Sequence, residues 1–256
     1  MNIPQIMIFS ITLLTVLCLS SFCNTLLPVN AQPNNSTQLP ILLIHGYGER
    51  SDVWDRWMNW LDQDTLSNVY PINFTNDRCG SSQEHAMELE SKINNILDET
   101  GSEKVNVVAH SKGGLDTRWY IASNNMDPIA NLIMIGTPNA GSPAAWVDWS
   151  GCWFGSDFDL LPGSVATRVA DKPDITNYYT ITGDWMPDRW CPTAFGAWFE
   201  DGGNCFIPGP DDNLVPVDSV NSSPDYIPIG PPWPYDHFDL LNQKDVYDTV
   251  SPILKQ

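Results

Sequence analysis

The amino-acid sequence predicts an α/β fold in which a mainly parallel sheet is covered by helices on both faces. Short apolar stretches have the length and composition of buried strands, at residues 41–44, 69–74, 105–109, 131–135 and 178–182. Apolar strands that alternate with helical segments are typical of parallel sheets. At 256 residues, the chain suits one domain with a sizeable core better than two.

Two segments between these strands have helical patterns. Ser81 or Ser82 can cap a helix, which Gly101 would end. The apolar residues of this segment recur at helical spacing: Ala86, Leu89, Ile93, Ile96 and Leu97. Residues 115–123 follow the next strand and are also predicted to be helical.

The charge of the chain excludes some functions. Its formal net charge is −19, with only 12 lysines and arginines. Such a balance disfavours nucleic-acid binding and electrostatic attraction to anionic membranes. The negative charge is accounted for by an acidic, well-solvated surface that keeps an exported protein in solution.

The N-terminal segment differs from the rest. Residues 6–22 are almost entirely apolar, and residues 29–31 resemble a small-residue cleavage site. No charged residue precedes Glu49, so the basic start of a signal peptide is missing. We expect residues 1–31 to be a signal peptide, with an uncleaved membrane anchor as the alternative. Residues 32–40 form a polar linker, and the α/β domain with its insertion would occupy residues 41–256.

Four cysteines follow the predicted leader: Cys79, Cys152, Cys191 and Cys205. In an exported chain this number suggests two disulfides, for which three pairings are possible. No two of them are closely spaced, which disfavours a zinc site.

A long irregular insertion is predicted within residues 139–210. It is rich in Gly, Pro and Asp, and contains Trp146, Trp149, Trp153, Trp185, Trp190 and Trp198. Such insertions are often functional caps or lids. The insertion could be a lid that opens at a lipid–water interface, where tryptophan is favoured. Alternatively, the tryptophans could pack a small core of the cap itself.

Ser111 has the sequence context of a catalytic nucleophile. The predicted strand at 105–109 leads directly into it, and a helix follows. A serine in such a sharp turn presents its hydroxyl above the sheet edge, and needs small residues two positions before and after. Ala109 and Gly113 meet that need.

A second motif, HGYG at residues 45–48, follows the first strand. Glycines there let backbone N–H groups approach a reacting carbonyl, as an oxyanion hole requires. The predicted donors are the amides of Tyr47 and Lys112.

The order Ser, acid, His identifies the base. His237 is the only histidine that follows Ser111, because the other three are His45, His85 and His110. For the acid that orients it we favour Asp212, then Asp211, then Asp184.

With these residues the chain resembles the secreted bacterial triacylglycerol lipases of the Pseudomonas and Burkholderia type. The resemblance is carried by LIHGYG at 43–48, the run 104–114, IGTPNAGSP at 135–143, DLLPGS at 159–164, YYTITG at 178–183, DNLV at 212–215 and HFDLLNQ at 237–243. It implies the α/β-hydrolase fold and carboxylester hydrolysis, with Asp212 as the acid. Ala109 departs from the glycine frequent in that family.

The resemblance also implies a structural calcium beside the histidine loop. The matching ligands are the Asp239 carboxylate and the carbonyls of Gln243 and Tyr247, with a further carboxylate from the insertion. Candidates for that last ligand are Asp184, Asp188 and Asp201. No cofactor is expected for the chemistry itself.

The expected partner is an ester or lipid substrate, with transient contact at a lipid–water interface. An acyltransferase or amidase on the same fold is the alternative, and a non-catalytic surface binding protein is a remote one. Acyl-chain length and oligomeric state stay open.

Overall fold

The computed structural model describes residues 38–126, 128–146, 151–152, 155–186, 190–192, 198–200 and 205–256. Its strands are β1 (Ile41–Ile44), β2 (Val69–Pro71), β3 (Val105–His110), β4 (Ile129–Ile135), β5 (Asn177–Ile181), β6 (Trp190–Pro192), β7 (Trp198–Glu200) and β8 (Tyr226–Pro228). Its α-helices are α1 (Asp55–Gln63), α2 (Ser82–Thr100), α3 (Lys112–Ser123), α4 (Ser156–Asp159), α5 (Val217–Val220) and α6 (Lys244–Leu254). Short 3-10 helices lie at Ser51–Trp54, Pro143–Trp146, Ala166–Arg168 and Asp239–Asn242.

Six strands form one sheet in the order β2-β1-β3-β4-β5-β8, and every neighbouring pair is parallel. The predicted parallel sheet is therefore confirmed. Strands β6 and β7 pair separately as an antiparallel hairpin. Strand β2 ends earlier than the predicted 69–74, because the Asn73 side chain binds Ser51 and the chain leaves the sheet there.

The central strands bury side chains on both faces. Along β1, Leu42 and Ile44 join a core that includes Leu89 of α2 and Ile121 of α3. Residues of the opposite parity join a second core, built with α1 and α6. This arrangement explains why the strands are apolar throughout rather than alternating, and it confirms helices on both faces.

Helix α2 has strong local signals at both ends. Ser81 is its N-cap: its hydroxyl accepts from the Glu84 amide, and the Glu84 carboxylate accepts from the Ser81 amide. Gly101 ends the helix in the left-handed conformation, with φ +70°. Helix α3 begins at Lys112 rather than at the predicted residue 115, directly after the turn at Ser111.

Cysteine pairing is partly decided by the structure. Cys79 forms a disulfide with Cys152, and Cys205 is also disulfide-bonded. The first bridge ties the loop before α2 to the insertion.

Several predictions concern residues that the structure does not describe. They are the leader at 1–31, most of the linker at 32–40, and much of the tryptophan-rich cap, including Trp149 and Trp153. The cap stays a prediction. Within the described ranges, no helix combines the length and hydropathy needed to cross a membrane.

Candidate active site

Ser111 lies in a strained turn between β3 and α3. Its backbone angles are φ +50° and ψ −127°, which a residue with a Cβ rarely adopts. The turn leaves no room for side chains around it. A Cβ on Gly113 would lie 2.5 Å from the His45 carbonyl oxygen, and one on Gly46 would lie 2.8 Å from the Ser111 Cβ. The small residues around Ser111 are thus steric requirements.

The structure brings Ser111, His237 and Asp212 together. His237 Nε2 lies 2.8 Å from Ser111 Oγ, and His237 Nδ1 lies 2.7 Å from Asp212 Oδ2. All three residues are buried. Because an ionised carboxylate only accepts, Nδ1 carries the proton and Nε2 is left to accept from the serine hydroxyl. This arrangement can remove a proton from Ser111.

The Asp212 carboxylate is held by its own loop. Its Oδ1 accepts the amides of Leu214 at 3.1 Å and Val215 at 2.7 Å, which leaves Oδ2 for the imidazole. The His237 amide donates to the Asp212 carbonyl at 2.8 Å, so backbone and side chain both join the two loops. Gly136 permits this approach, because a Cβ there would lie 3.1 Å from both Asp212 and His237.

The other two candidate acids are placed differently. Asp211 Oδ1 accepts the Asn213 amide at 2.6 Å and so belongs to the turn. Asp184 follows β5, and its amide donates to the Trp233 carbonyl. Neither carboxylate is hydrogen-bonded to His237.

The predicted oxyanion donors lie beside the serine. Tyr47 and Ser111 line the same cavity, and Lys112 is the first residue of α3. Neither the Tyr47 nor the Lys112 amide donates a hydrogen bond to any described residue. Both N–H groups can therefore serve a bound oxygen, and the positive end of α3 favours one that carries charge.

A mostly apolar cavity of about 350 Å³ opens above Ser111. Its apolar lining comes from Pro138, Ala144, Ala145, Leu160, Leu214, Val215 and Phe238. The insertion supplies several of these residues. A cavity with this lining suits an acyl chain or a similar apolar group.

Two buried ion pairs flank Ser111, and sequence reasoning missed both. His110 Nδ1 lies 2.8 Å from Glu49 Oε2, and Lys112 Nζ lies 2.6 Å from Asp116 Oδ1. Each contains a neighbour of Ser111 in the sequence. Only the i, i+4 spacing of Lys112 and Asp116 on one helix could have indicated a pair.

The Lys112 pair extends into a buried cluster. Asp116 Oδ2 also lies 2.7 Å from His85 Nδ1 on α2. Burial opposes ionisation of Asp116, but attraction to Lys112 and the hydrogen bond with His85 lower its pKa to about 2. The cluster fixes α3, and with it the Lys112 amide, against α2.

The predicted calcium site stays a prediction. Asp239 begins a 3-10 helix, Gln243 precedes α6 and Tyr247 lies inside α6, where the Gln243 carbonyl accepts the Tyr247 amide. Among the described residues, no three His, Cys, Asp or Glu side chains are grouped to hold a metal ion. Asp188 and Asp201 lie outside the described residues. No step proposed below uses calcium.

Comparison with protein families gives a match over five of the six strands of the main sheet. A family model described as palmitoyl protein thioesterase matches residues 40–182. The matched segment contains the HGYG loop and the Ser111 turn, and ends before Asp212 and His237.

Curated relatives match somewhat less than half of the chain. A triacylglycerol lipase of Burkholderia plantarii is 31% identical over 124 residues, covering 46% of this chain and 34% of the relative. One from Pseudarthrobacter phenanthrenivorans is 31% identical over 117 residues, covering 43% and 36%. The aligned segment thus spans about a third of each relative's length. The predicted resemblance to bacterial triacylglycerol lipases is confirmed.

Solved structures share the fold. The mature Bacillus licheniformis lipase BlEst2 aligns with a TM-score of 0.64 at 20% identity, covering 86% of this chain and 93% of that one. The lin2722 gene product of Listeria innocua aligns with a TM-score of 0.55 at 16% identity, covering 83% and 92%. These likenesses confirm the α/β-hydrolase fold.

Replacing Asp116 with Asn should destabilise the protein by about 3–5 kcal/mol, because Lys112 would be left buried without its anionic partner. A depressed pKa means that the stabilisation by Asp116 is present above pH 3.8 and is lost as the pH falls toward 2. The variant's free energy of unfolding should therefore fall less steeply over that range than that of the wild type. Urea unfolding between pH 2 and 7 measures both effects.

The exposed Asp98→Asn serves as the control and should follow the wild-type curve. An Asp116→Asn curve parallel to the wild type below pH 4 would contradict the assignment.

Proposed function

Because the chain belongs to the palmitoyl protein thioesterase family, we propose that it hydrolyses carboxylic esters through an acyl-enzyme on Ser111. The observation that carries the proposal is the contact of His237 Nε2 with Ser111 Oγ, at 2.8 Å and within the wall of an apolar cavity. The family name covers thioesters and the relatives' names cover triacylglycerols. Either bond would be attacked in the same way.

In the proposed first step, His237 Nε2 takes the Ser111 proton as Oγ attacks the carbonyl carbon. Asp212 Oδ2 holds the imidazole orientation and stabilises the imidazolium that forms. The developing oxyanion would accept from the Tyr47 and Lys112 amides. One such donor is typically worth about 2.7–4 kcal/mol of barrier.

The second half of the reaction reverses these roles. The His237 imidazolium protonates the leaving alkoxide or thiolate, which departs and leaves an ester on Ser111. Water then enters, gives a proton to Nε2 and attacks the acyl carbonyl. When the carboxylic acid leaves, His237 Nε2 returns the proton to Ser111 Oγ. Apart from water and the ester itself, every group in this scheme belongs to the chain.

Contact with a lipid–water interface is part of the proposal. Three exposed aromatic side chains lie on the segments that line the cavity: Trp146 is 63% exposed, Phe158 49% and Phe238 56%. Trp146 follows Ala145, Phe158 precedes the wall residue Leu160, and Phe238 lines the cavity itself. Large apolar groups around a cavity mouth favour a lipid surface over water.

Export from the cell also belongs to the proposal. The Cys79–Cys152 disulfide supports it, because such bridges persist in oxidising compartments. The apolar segment at residues 6–22 supports it as well.

Ser111→Ala should reduce turnover of a p-nitrophenyl ester to background, on the order of a 10⁶-fold loss, because the attacking oxygen is missing. It should also abolish labelling by a fluorophosphonate probe. The exposed Ser123→Ala, at the end of α3, should keep both properties. Turnover by folded Ser111→Ala would refute the proposed function.

A thioester and an oxygen ester with the same acyl group, assayed in parallel, would define the leaving group. Adding an alcohol acceptor and measuring transesterified product would reveal the acyltransferase alternative.

A double variant, Trp146→Ser with Phe158→Ser, should lose activity on emulsified tributyrin while keeping activity on dissolved p-nitrophenyl acetate. Only the emulsion requires adsorption at an interface. We expect activity on the emulsion to fall roughly tenfold, which corresponds to a loss of about 1.4 kcal/mol in the free energy of adsorption. Met126→Ser, at a site 86% exposed outside the cavity lining, is the control. Equal losses on both substrates would contradict the interfacial role.

N-terminal sequencing of the protein recovered from culture medium should begin at Gln32, because cleavage is expected after Ala31. Retention of the intact N-terminus in the membrane fraction would instead indicate an uncleaved anchor.

A further inference from the structure

A largely buried ion pair lies beside the proposed catalytic groups, in the wall of the same cavity, and has no part in the scheme above. Glu49 Oε2 contacts His110 Nδ1 at 2.8 Å, and the side chains are 11% and 0% exposed. Ion pairs at this depth are costly to build and add little stability on average. Its place beside Ser111 therefore points to a role other than stability.

The contacts of His110 define its charge state. Its Nδ1 faces the Glu49 carboxylate, and its Nε2 lies 3.0 Å from the His237 carbonyl oxygen. Both of these oxygens only accept, so both ring nitrogens must donate, and His110 is an imidazolium. Burial would lower the pKa of His110, but the charge and hydrogen bond of Glu49 outweigh it and raise the pKa. Burial likewise opposes ionisation of Glu49, yet His110 lowers its pKa to about 2.

The pair joins three separate segments. Glu49 Oε2 also accepts the Gly46 amide at 2.6 Å, one residue before the proposed oxyanion donor Tyr47. His110 is the last residue of β3 and precedes Ser111. Through Nε2 it holds the backbone of His237. The oxyanion loop, the nucleophile turn and the histidine loop are thus linked through two side chains.

We propose that Glu49 and the His110 imidazolium form a positioning unit that aligns the Tyr47 amide, Ser111 and His237 with one another. The inference rests on the proposed function. Neither side chain exchanges a proton with substrate. They act on the positions of the reacting groups. A displacement of such a group by about 1 Å can lower the rate on the order of 100-fold.

The charge of the unit makes it sensitive to pH. The titratable groups that face His110 are Glu49, His237 and Asp212. A raised pKa means that the alignment is complete below the ordinary histidine pKa of 6.5 and is lost as the pH rises through the higher value in the folded protein. A neutral His110 would keep only one of its two hydrogen bonds.

Glu49→Gln tests the unit, because it removes the charge and keeps the shape. We expect kcat for a p-nitrophenyl ester to fall by roughly 30–100-fold with KM changed less than about threefold. Without the carboxylate, the pKa of His110 falls, so the alkaline limb of kcat should move to lower pH by about one unit. Glu49→Asp keeps the charge, and its alkaline limb should stay near the wild-type position even where kcat is reduced.

The matched control is Asp171→Asn, which breaks the buried Arg118–Asp171 pair away from the cavity. Its exposures of 4% and 10% match those of the tested pair. It should lower the unfolding midpoint and leave kcat and its pH profile unchanged.

Each outcome decides between a positioning role and a structural one. Wild-type kcat in folded Glu49→Gln, or an alkaline limb that does not move, would overturn the inference and leave the Ser111 proposal standing. Fluorophosphonate labelling of the wild type separates failure of this inference from failure of the proposed function. Ser111 should still be labelled in the first case and should not be labelled in the second. Loss of stability and activity together in both Glu49→Gln and Asp171→Asn would also overturn it.

Discussion

The left-handed backbone of Ser111 is the constraint on which the site depends. A residue with a Cβ held at φ +50° costs on the order of 1–3 kcal/mol, so the surroundings must enforce it. They do so on both sides: the Ser111 amide donates to Ile135 of β4, and its carbonyl accepts the Gly114 amide of α3. The result is a hydroxyl that projects from the sheet edge, with the free amide of Lys112 beside it.

Close packing around this turn explains the glycines better than flexibility does. Gly46 and Gly113 have nearly no space for a Cβ: the nearest atom to one on Gly46 would be the Ser111 Cβ, and the nearest to one on Gly113 would be the His45 carbonyl oxygen. The HGYG loop can therefore approach Ser111 only because one of its glycines faces it. A larger residue would have to push apart the groups that the proposed reaction needs together.

Buried charge surrounds the site, although the chain has an excess of acidic groups. Lys112 with Asp116 lies on one side of Ser111, and His110 with Glu49 lies on the other. Each cation is matched by one carboxylate, which limits the cost of burial. The cavity wall is tied in as well: the Cys79–Cys152 disulfide precedes α4, and the Asp159 carboxylate at the end of α4 accepts the first amide of α2.

Sequence alone determined the parallel sheet and the serine turn, and it selected His237 as the candidate base. These follow from local patterns: apolar runs of strand length, small residues around one serine, and a single histidine late in the chain. It left three candidate acids and three disulfide pairings open, and it gave no sign of the Glu49–His110 pair. Only the tertiary structure places Asp212 against an imidazole 25 positions away, and that imidazole against a serine 126 positions away. The acid and the disulfide pairing depend on which separate loops meet at the edge of the sheet. The spacing of residues along the chain does not give the distances between those loops.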